Sequence, residues 1–377
     1  MKLFIRSERH DEAREKAAKL CRCPNHKMFC RLLTLTYRWV IKMIKLREAR
    51  YCNLKLLLIF LVIYGHTIET QIWHNTVLMT QYKFIYLVHM PLFAFLSGLF
   101  ITDCRSCTVQ LKRLLPIYIV LQTTAFLIKN GTLKLITPYW HLWYLLSCAC
   151  WIGITWLLFY FAKGKGNIII LMLALFIGCI AGYINIIGRE FSLSRTIVFF
   201  PYFWLGAICD SRVNWKKFRT AGLVALLIGI MIVYFIEDKL QVTFLYHADP
   251  YSNMENGSYL RLLCYFIGFL LGFFLLTWTL DKRFPFTKAG ANTMPAYIAH
   301  VPFAILLREL NLSWPIYLIA ITIFLWMVYK VLQLYGTIYG MVPSDGRNKM
   351  CPHFKKCMKN MDEKCTGFCY PCPEAKF

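Results

Sequence analysis

Four histidines and one arginine stand where their chemistry could be used. His66 ends the stretch Tyr64-Gly65-His66 with Glu69 three residues on, and His89 opens His89-Met90-Pro91. His141 lies in Trp140-His141-Leu142-Trp143, Arg195 in Ser194-Arg195-Thr196, and His300 follows Asn292 and Tyr297. An imidazole titrates near neutral pH, so it can take the proton of a hydroxyl that attacks an acyl carbonyl. His66 is the candidate base or transient acyl carrier, with Glu69 or another polar neighbour fixing its tautomer. His89, His141, Arg195, Asn292 and His300 are candidates for a shared polar cavity. Read singly, an intramembrane histidine is as readily a hydrogen-bond partner between helices. His141, bracketed by tryptophans, equally suits an interfacial belt. No metal is expected, because no H-E-x-x-H spacing is present.

A second group is cationic. Lys112-Arg113 precedes Leu114-Leu115-Pro116, after a connection that holds Arg105. Adjacent cations at a membrane entrance can hold phosphate groups, or can simply anchor a helix. No Walker A loop and no G-x-G-x-x-G after a strand is found, so a nucleotide-hydrolysing engine is not indicated.

The elements that position these residues follow from composition. Of 377 residues 58% are hydrophobic and only 16% charged, against about 25% in ordinary globular chains. Mean hydropathy is +0.49. Long apolar blocks recur from residue 54 to residue 337. Unsatisfied backbone groups are not tolerated in hydrocarbon, so blocks without strict alternation must be helices and not barrel strands. The expected fold is all-α, a polytopic membrane protein with about ten transmembrane helices. They are predicted at 54–70, 84–101, 112–128, 139–161, 168–187, 195–209, 218–236, 258–280, 290–307 and 313–337.

The net charge of +24 could suggest nucleic acid, but the basic residues gather in the tails and in alternate loops. Residues 1–50 hold fourteen Lys or Arg and residues 338–377 hold seven. Both termini are therefore expected in the cytoplasm beside anionic lipid. The predicted cytoplasmic connections carry twelve Lys or Arg against three acids; the outer ones carry eight, among them Arg195, Arg261 and Arg308, against seven. The longest outer connection, about 237–257, mixes Tyr246, His247, Asp249, Tyr251 and Asn253, which suits contact with a sugar and equally a solvated connector.

Three regions are expected: a basic cytoplasmic leader at 1–50, a ten-helix membrane domain at 51–337, and a Cys-rich basic cytoplasmic tail at 338–377. No cleavable signal is expected, and Met43 is an alternative start. Sixteen cysteines do not read as a disulfide framework, because the clustered ones fall in tails assigned to a reducing compartment. Cys369-Tyr-Pro-Cys372 has a metal or redox spacing, but the other intervals are irregular, and a disordered tail is the plainer reading.

Several stretches in order resemble one family. They are Asn53-Leu54-Lys55, Val62 to His66, Tyr86 to Gly98, Trp140 to Leu145, Ser194 to Gly206, and Asn292-Thr293 through Tyr297 to His300. Together they resemble integral-membrane acyltransferase family 3, especially its fucose 4-O-acetylase-like branch. The resemblance implies transfer of an acetyl or similar small acyl group from cytoplasmic acyl-CoA to a carbohydrate hydroxyl of the cell envelope, in the plasma membrane. No cofactor is implied beyond acyl-CoA as co-substrate; the implied partners are lipid and a glycan acceptor, and no nucleic acid. On this resemblance His66 matches the family's essential histidine, and Lys112 and Arg113 its basic donor entrance. Two departures stand out: Cys52 replaces an aspartate expected before Asn-Leu-Lys, and the Arg-x-x-x-Arg pattern before the third span is absent. A carrier of sugar-linked or lipid-linked solutes, using the histidines and Arg195 as substrate or proton sites, is the alternative from another class. A relative that has lost catalysis is the third.

Overall fold

The computed structural model describes residues 49–130, 137–162, 166–251, 254 and 256–338. The leader up to residue 48, Met43, and the Cys-rich tail lie outside these residues. The described part is all-helical, with no β-strand.

Among the described residues the longer helices are α1 Ala49–Ile68, α2 Thr76–Leu99, α3 Cys104–Asn130, α4 Trp143–Ala162, α5 Asn167–Ile180, α6 Leu193–Ile208, α7 Arg219–Ile236, α8 Gly257–Trp278, α9 Met294–Glu309 and α10 Trp314–Ile338. One-turn helices at Val242–Leu245 and Thr287–Ala291 sit between them. Among the described residues seven helical segments are long and apolar enough to cross a membrane: those of α1, α2, α4, α6, α7, α8 and α10. The other three fall short for identifiable reasons. α5 has only 14 residues and α9 only 16. α3 is long enough, with 27 residues, but carries Arg105, Lys112, Arg113, Gln110 and Gln122.

Two boundaries move in ways that matter. α2 starts at Thr76 rather than near residue 84, because Asn75 caps it by accepting a hydrogen bond from the Leu78 amide at 3.1 Å. α3 starts at Cys104, so Arg105 joins Lys112 and Arg113 on one helix instead of preceding it in a loop.

The core is set by the crossing of α2 and α6. A Cβ on Gly98 would drive into the Phe203 carbonyl, and a Cβ on Gly206 into the Phe95 carbonyl. The two backbones therefore touch at reciprocal glycines, the packing that lipid-embedded helices use when small residues let them approach closely. Trp151 of α4 closes the layer: it is fully buried and its indole N–H donates to the Thr196 carbonyl at 2.7 Å. At the opposite end of α1, Asn53 donates to the Leu280 and Lys282 carbonyls at 2.9 and 3.0 Å and accepts from Thr287 at 2.6 Å. This clamps the start of α1 to the segment that leads into α9.

Outside the core, Met172 and Phe176 of α5, Leu227 and Tyr234 of α7, and Ile319 of α10 are exposed. Rows of such side chains on otherwise regular helices are what hydrocarbon, not water, solvates.

The chain divides into two compact units, residues 1–325 and 326–377. The bundle and the site below belong to the first. The second is described as far as residue 338, as the end of α10, where Gln333 donates to the Tyr329 hydroxyl at 2.6 Å.

Candidate active site

His66 lies in the last turn of α1, which Thr67 tightens by donating to the Ile63 carbonyl at 2.8 Å. The chain then bends, and Gln71 donates to the Asn311 side chain at 3.0 Å and to the Leu312 carbonyl at 3.2 Å. These bonds pin the turn after His66 to the end of α9. Arg308, in the last turn of α9, uses that proximity. Its Nε donates to the His66 carbonyl at 2.6 Å, and its Nη2 donates to the same carbonyl and to Glu69 Oε2.

Glu69 is therefore an ion-pair partner of Arg308 first. Its Oε2 stands 3.8 Å from His66 Nδ1, beyond hydrogen-bond length, while Oε1 accepts from the Tyr246 hydroxyl at 3.3 Å. Burial alone would raise the Glu69 carboxyl, but the imidazole of His66 and the charge of Arg308 outweigh it and hold the group below its ordinary value. The carboxylate is ionised at neutral pH.

Three imidazoles meet beside this pair. The His300 ring is 5.4 Å from the His66 ring and 5.3 Å from that of His141. Trp140 packs edge-on to His66 at 5.1 Å and faces the Arg308 guanidinium at 5.3 Å. Trp140 has a left-handed backbone (φ 24°), an unfavourable conformation for an aromatic residue that aims its indole at both. His141 is held from the other side, where the Tyr297 hydroxyl donates to its carbonyl.

The hydrogen bonds of the imidazoles are unequal. His300 Nδ1 donates to the Tyr297 carbonyl at 2.5 Å, which leaves Nε2 as the acceptor nitrogen. That Nε2, together with Nδ1 of His66 and Nδ1 of His141, is buried without a hydrogen-bond partner. A buried polar atom so placed costs about 1–3 kcal/mol. Three of them on neighbouring imidazoles mark a candidate site.

His89 and Arg195 stand one layer back. His89 donates from Nδ1 to the Ile85 carbonyl at 2.6 Å and packs edge-on to Tyr86 at 4.9 Å. Tyr86 stacks on Tyr82 at 4.3 Å, and the Tyr82 hydroxyl is bonded to that of Tyr246 at 3.0 Å. Arg195 donates from Nε to the Tyr246 carbonyl at 3.0 Å and lies over Trp143 at 4.7 Å. Tyr246 thus connects both residues to Glu69.

Asn292 does not join this group. It is exposed, between the Thr287–Ala291 turn and α9, with a non-helical backbone (φ −136°, ψ 88°). Arg105, Lys112 and Arg113 are likewise apart from the imidazoles. They are exposed on α3, and the spacings of seven and eight residues place them on one face of that helix. Among the described residues no group of three or more His, Cys, Asp or Glu could hold a metal ion.

Charge counting along the chain took Arg308 for an outer-loop residue. The signal that finds it is periodic: Tyr297, His300, Ala304 and Arg308 recur every three or four residues and share one face of α9. Trp140 and Tyr246 carried no such signal, because each lies in a connection outside the long helices.

No curated protein and no solved structure matches the chain. The acyltransferase domain that defines acyltransferase family 3 matches residues 52–332, three quarters of the chain, and spans α1 to α10 with every residue of the imidazole cluster. With seven apolar helices and that match, this multi-pass membrane protein belongs to acyltransferase family 3.

Proposed function

We propose that this protein is an O-acyltransferase that moves an acetyl or similar small acyl group from cytoplasmic acyl-CoA to a hydroxyl of an envelope or extracellular carbohydrate. The cluster of three buried imidazole nitrogens around His66 carries this reading. In it, the ten helices cross the plasma membrane with both termini cytoplasmic, which puts the end of α1 and the cluster at the outer face.

His66 is the base. As the acceptor oxygen bonds to the thioester carbonyl carbon, its proton passes to the imidazole; collapse of the tetrahedral intermediate breaks the C–S bond, and the proton returns to the departing sulfur. Arg308 holds His66 in place through its carbonyl, and Glu69 is fastened beside it by the same guanidinium. His141 faces the oxyanion, and His300, whose Nδ1–H is spent on the Tyr297 carbonyl, orders the cavity. Arg105, Lys112 and Arg113 hold the phosphates of the donor from the cytoplasmic side. Tyr86 and Tyr246, both only partly buried, offer aromatic faces and hydroxyls to a sugar.

The test uses membranes with native protein or His66→Ala, given acetyl-labelled coenzyme A and the host's own glycans. Alkali-labile label on glycan that appears with the native protein and is lost in the variant supports the reading. Equal label in the variant and in membranes lacking the protein, at native expression, removes it.

A further inference from the structure

Arg261 is a charged residue that the imidazole cluster does not use. It lies in the second turn of α8, is only 1% exposed, and neither its Nε nor its Nη1 has a hydrogen-bond partner. No carboxylate of the described residues pairs with it. Its guanidinium is held between the rings of Phe244 and Tyr251, at 5.2 and 5.1 Å. Two aromatic faces recover part of the lost hydration but satisfy no N–H.

Beside it, His247 is also buried, and its Nδ1 has no partner. The residue has a left-handed backbone (φ 51°), locked by the Ser194 hydroxyl, which donates to its carbonyl at 2.8 Å. Burial, then the charges of Arg261 and Arg195, push its imidazole well below its ordinary value. A neutral imidazole keeps one N–H to offer.

Arg261 and His247 line one small cavity with Tyr202, Tyr265, Leu87 and Pro91. It has about 10 Å³ of room, enough for one particle of the size of a water and too little for a molecule. The Tyr202 and Tyr265 hydroxyls are spent on the Tyr265 and Val198 carbonyls, at 3.2 and 2.8 Å. The chemistry left facing the cavity is a buried cation with free N–H groups and an imidazole, without a counter-charge. An isolated buried charge costs several kcal/mol, and proteins pair such charges.

We infer that the cavity between Arg261 and His247 binds a single small inorganic anion of the halide class. It neutralises the guanidinium and accepts from Arg261 and from His247 Nδ1–H. It joins α8 to the loop whose next residue back, Tyr246, reaches Glu69 and Arg195. The site is separate from the acyl-transfer chemistry, and its test does not depend on it.

The experiment uses the full-length protein in detergent, exchanged into sodium gluconate and titrated with sodium chloride or bromide at constant ionic strength. We expect the unfolding temperature to rise saturably with either halide and to stay flat with gluconate. The halide-dependent rise should be lost in Arg261→Met. Because that variant leaves His247 unpaired and can fail to fold, radiolabelled chloride binding to native protein is the second measurement, expected at about one ion per chain and displaced by bromide. A flat response to chloride, or no bound chloride by equilibrium dialysis, means the cavity holds water and overturns the proposal. A halide response that persists in folded Arg261→Met overturns it as well.

Discussion

The carboxylate of Glu69 is bound by Arg308 and not by His66. One guanidinium spans the His66 carbonyl and Glu69 Oε2, so the end of α1 and the end of α9 are fastened across 242 residues of sequence. His66 Nδ1 keeps 3.8 Å from the same carboxylate, close enough to feel its charge and too far to share its proton.

Arg308→Met is expected to remove this fastening and leave Glu69 with only the Tyr246 hydroxyl. Loss of one partner of a partly buried pair should cost about 1–3 kcal/mol, and acyl transfer should fall at least tenfold because His66 loses its backbone anchor. The double variant Arg308→Met with Glu69→Gln should recover stability without recovering activity. Thermal unfolding in detergent and labelled-acyl transfer, measured together on the three variants, check both halves.

His66→Ala and Glu69→Gln should separate in rate. Loss of a general base costs about 10²–10⁴-fold, so His66→Ala should be inactive in a standard assay. Glu69→Gln keeps the shape and the Tyr246 contact but not the charge, and a smaller loss is expected, mainly in kcat. An equal loss in the two would place Glu69 in direct contact with reactants instead.

Acid should destabilise the protein through the same carboxylate. The folded Glu69 carboxyl is held below its unfolded value of about 4.3. A group of that sign contributes stability that is fully present above the unfolded value and is lost as pH falls through the folded one. The acid limb of unfolding temperature against pH should therefore be shallower in Glu69→Gln. Asp249, held low first by its hydrogen bond to Arg189, acts in the same direction. Its side chain is 41% exposed, so Asp249→Asn should change the limb less.

Gly98→Ala and Gly206→Ala should each unfold the α2–α6 crossing, because the added methyl meets a carbonyl of the facing helix and not a movable side chain. Overpacking costs about 1–3 kcal/mol when neighbours can shift, and backbone shifts least. Gly153→Ala, with nothing within 4 Å of its Cβ, is the matched control and should be neutral. Size-exclusion profiles and thermal unfolding in detergent read the difference.

Arg105→Ala and Lys112→Ala should raise the KM for acyl-CoA severalfold with little change in kcat, because they are exposed on α3 and stand apart from the imidazoles. Replacement by the other cation should restore most of the affinity for phosphate. Kinetics at varied acyl-CoA and saturating acceptor check the split.

Composition and the spacing of apolar blocks determined the helical architecture by themselves. Lipid forbids unpaired backbone, so the apolar blocks could become only helices, and the described residues are all-helical, seven of their helices being long and apolar enough to cross a membrane. The histidines could be singled out as candidates from the same blocks, since an ionisable residue inside an apolar block is costly. Local sequence also carried the wrong start of α2, where the polar first turns read as loop until Asn75 is seen to cap them.

Tertiary structure alone decided which of those residues meet. Along the chain Glu69 is the neighbour of His66 at three residues, and Arg308 is 242 away, yet the longer side chain with two donors in a fixed fork reaches carbonyl and carboxylate together. Asn292 shares a motif with His300, but it is exposed ahead of the start of α9 at Met294, whereas His300 is buried within that helix. Arg261 looked like one more outer-loop cation. Only the packing of Phe244, Tyr251 and the His247 turn around it shows a buried charge, because burial belongs to the assembly of helices and not to any one of them.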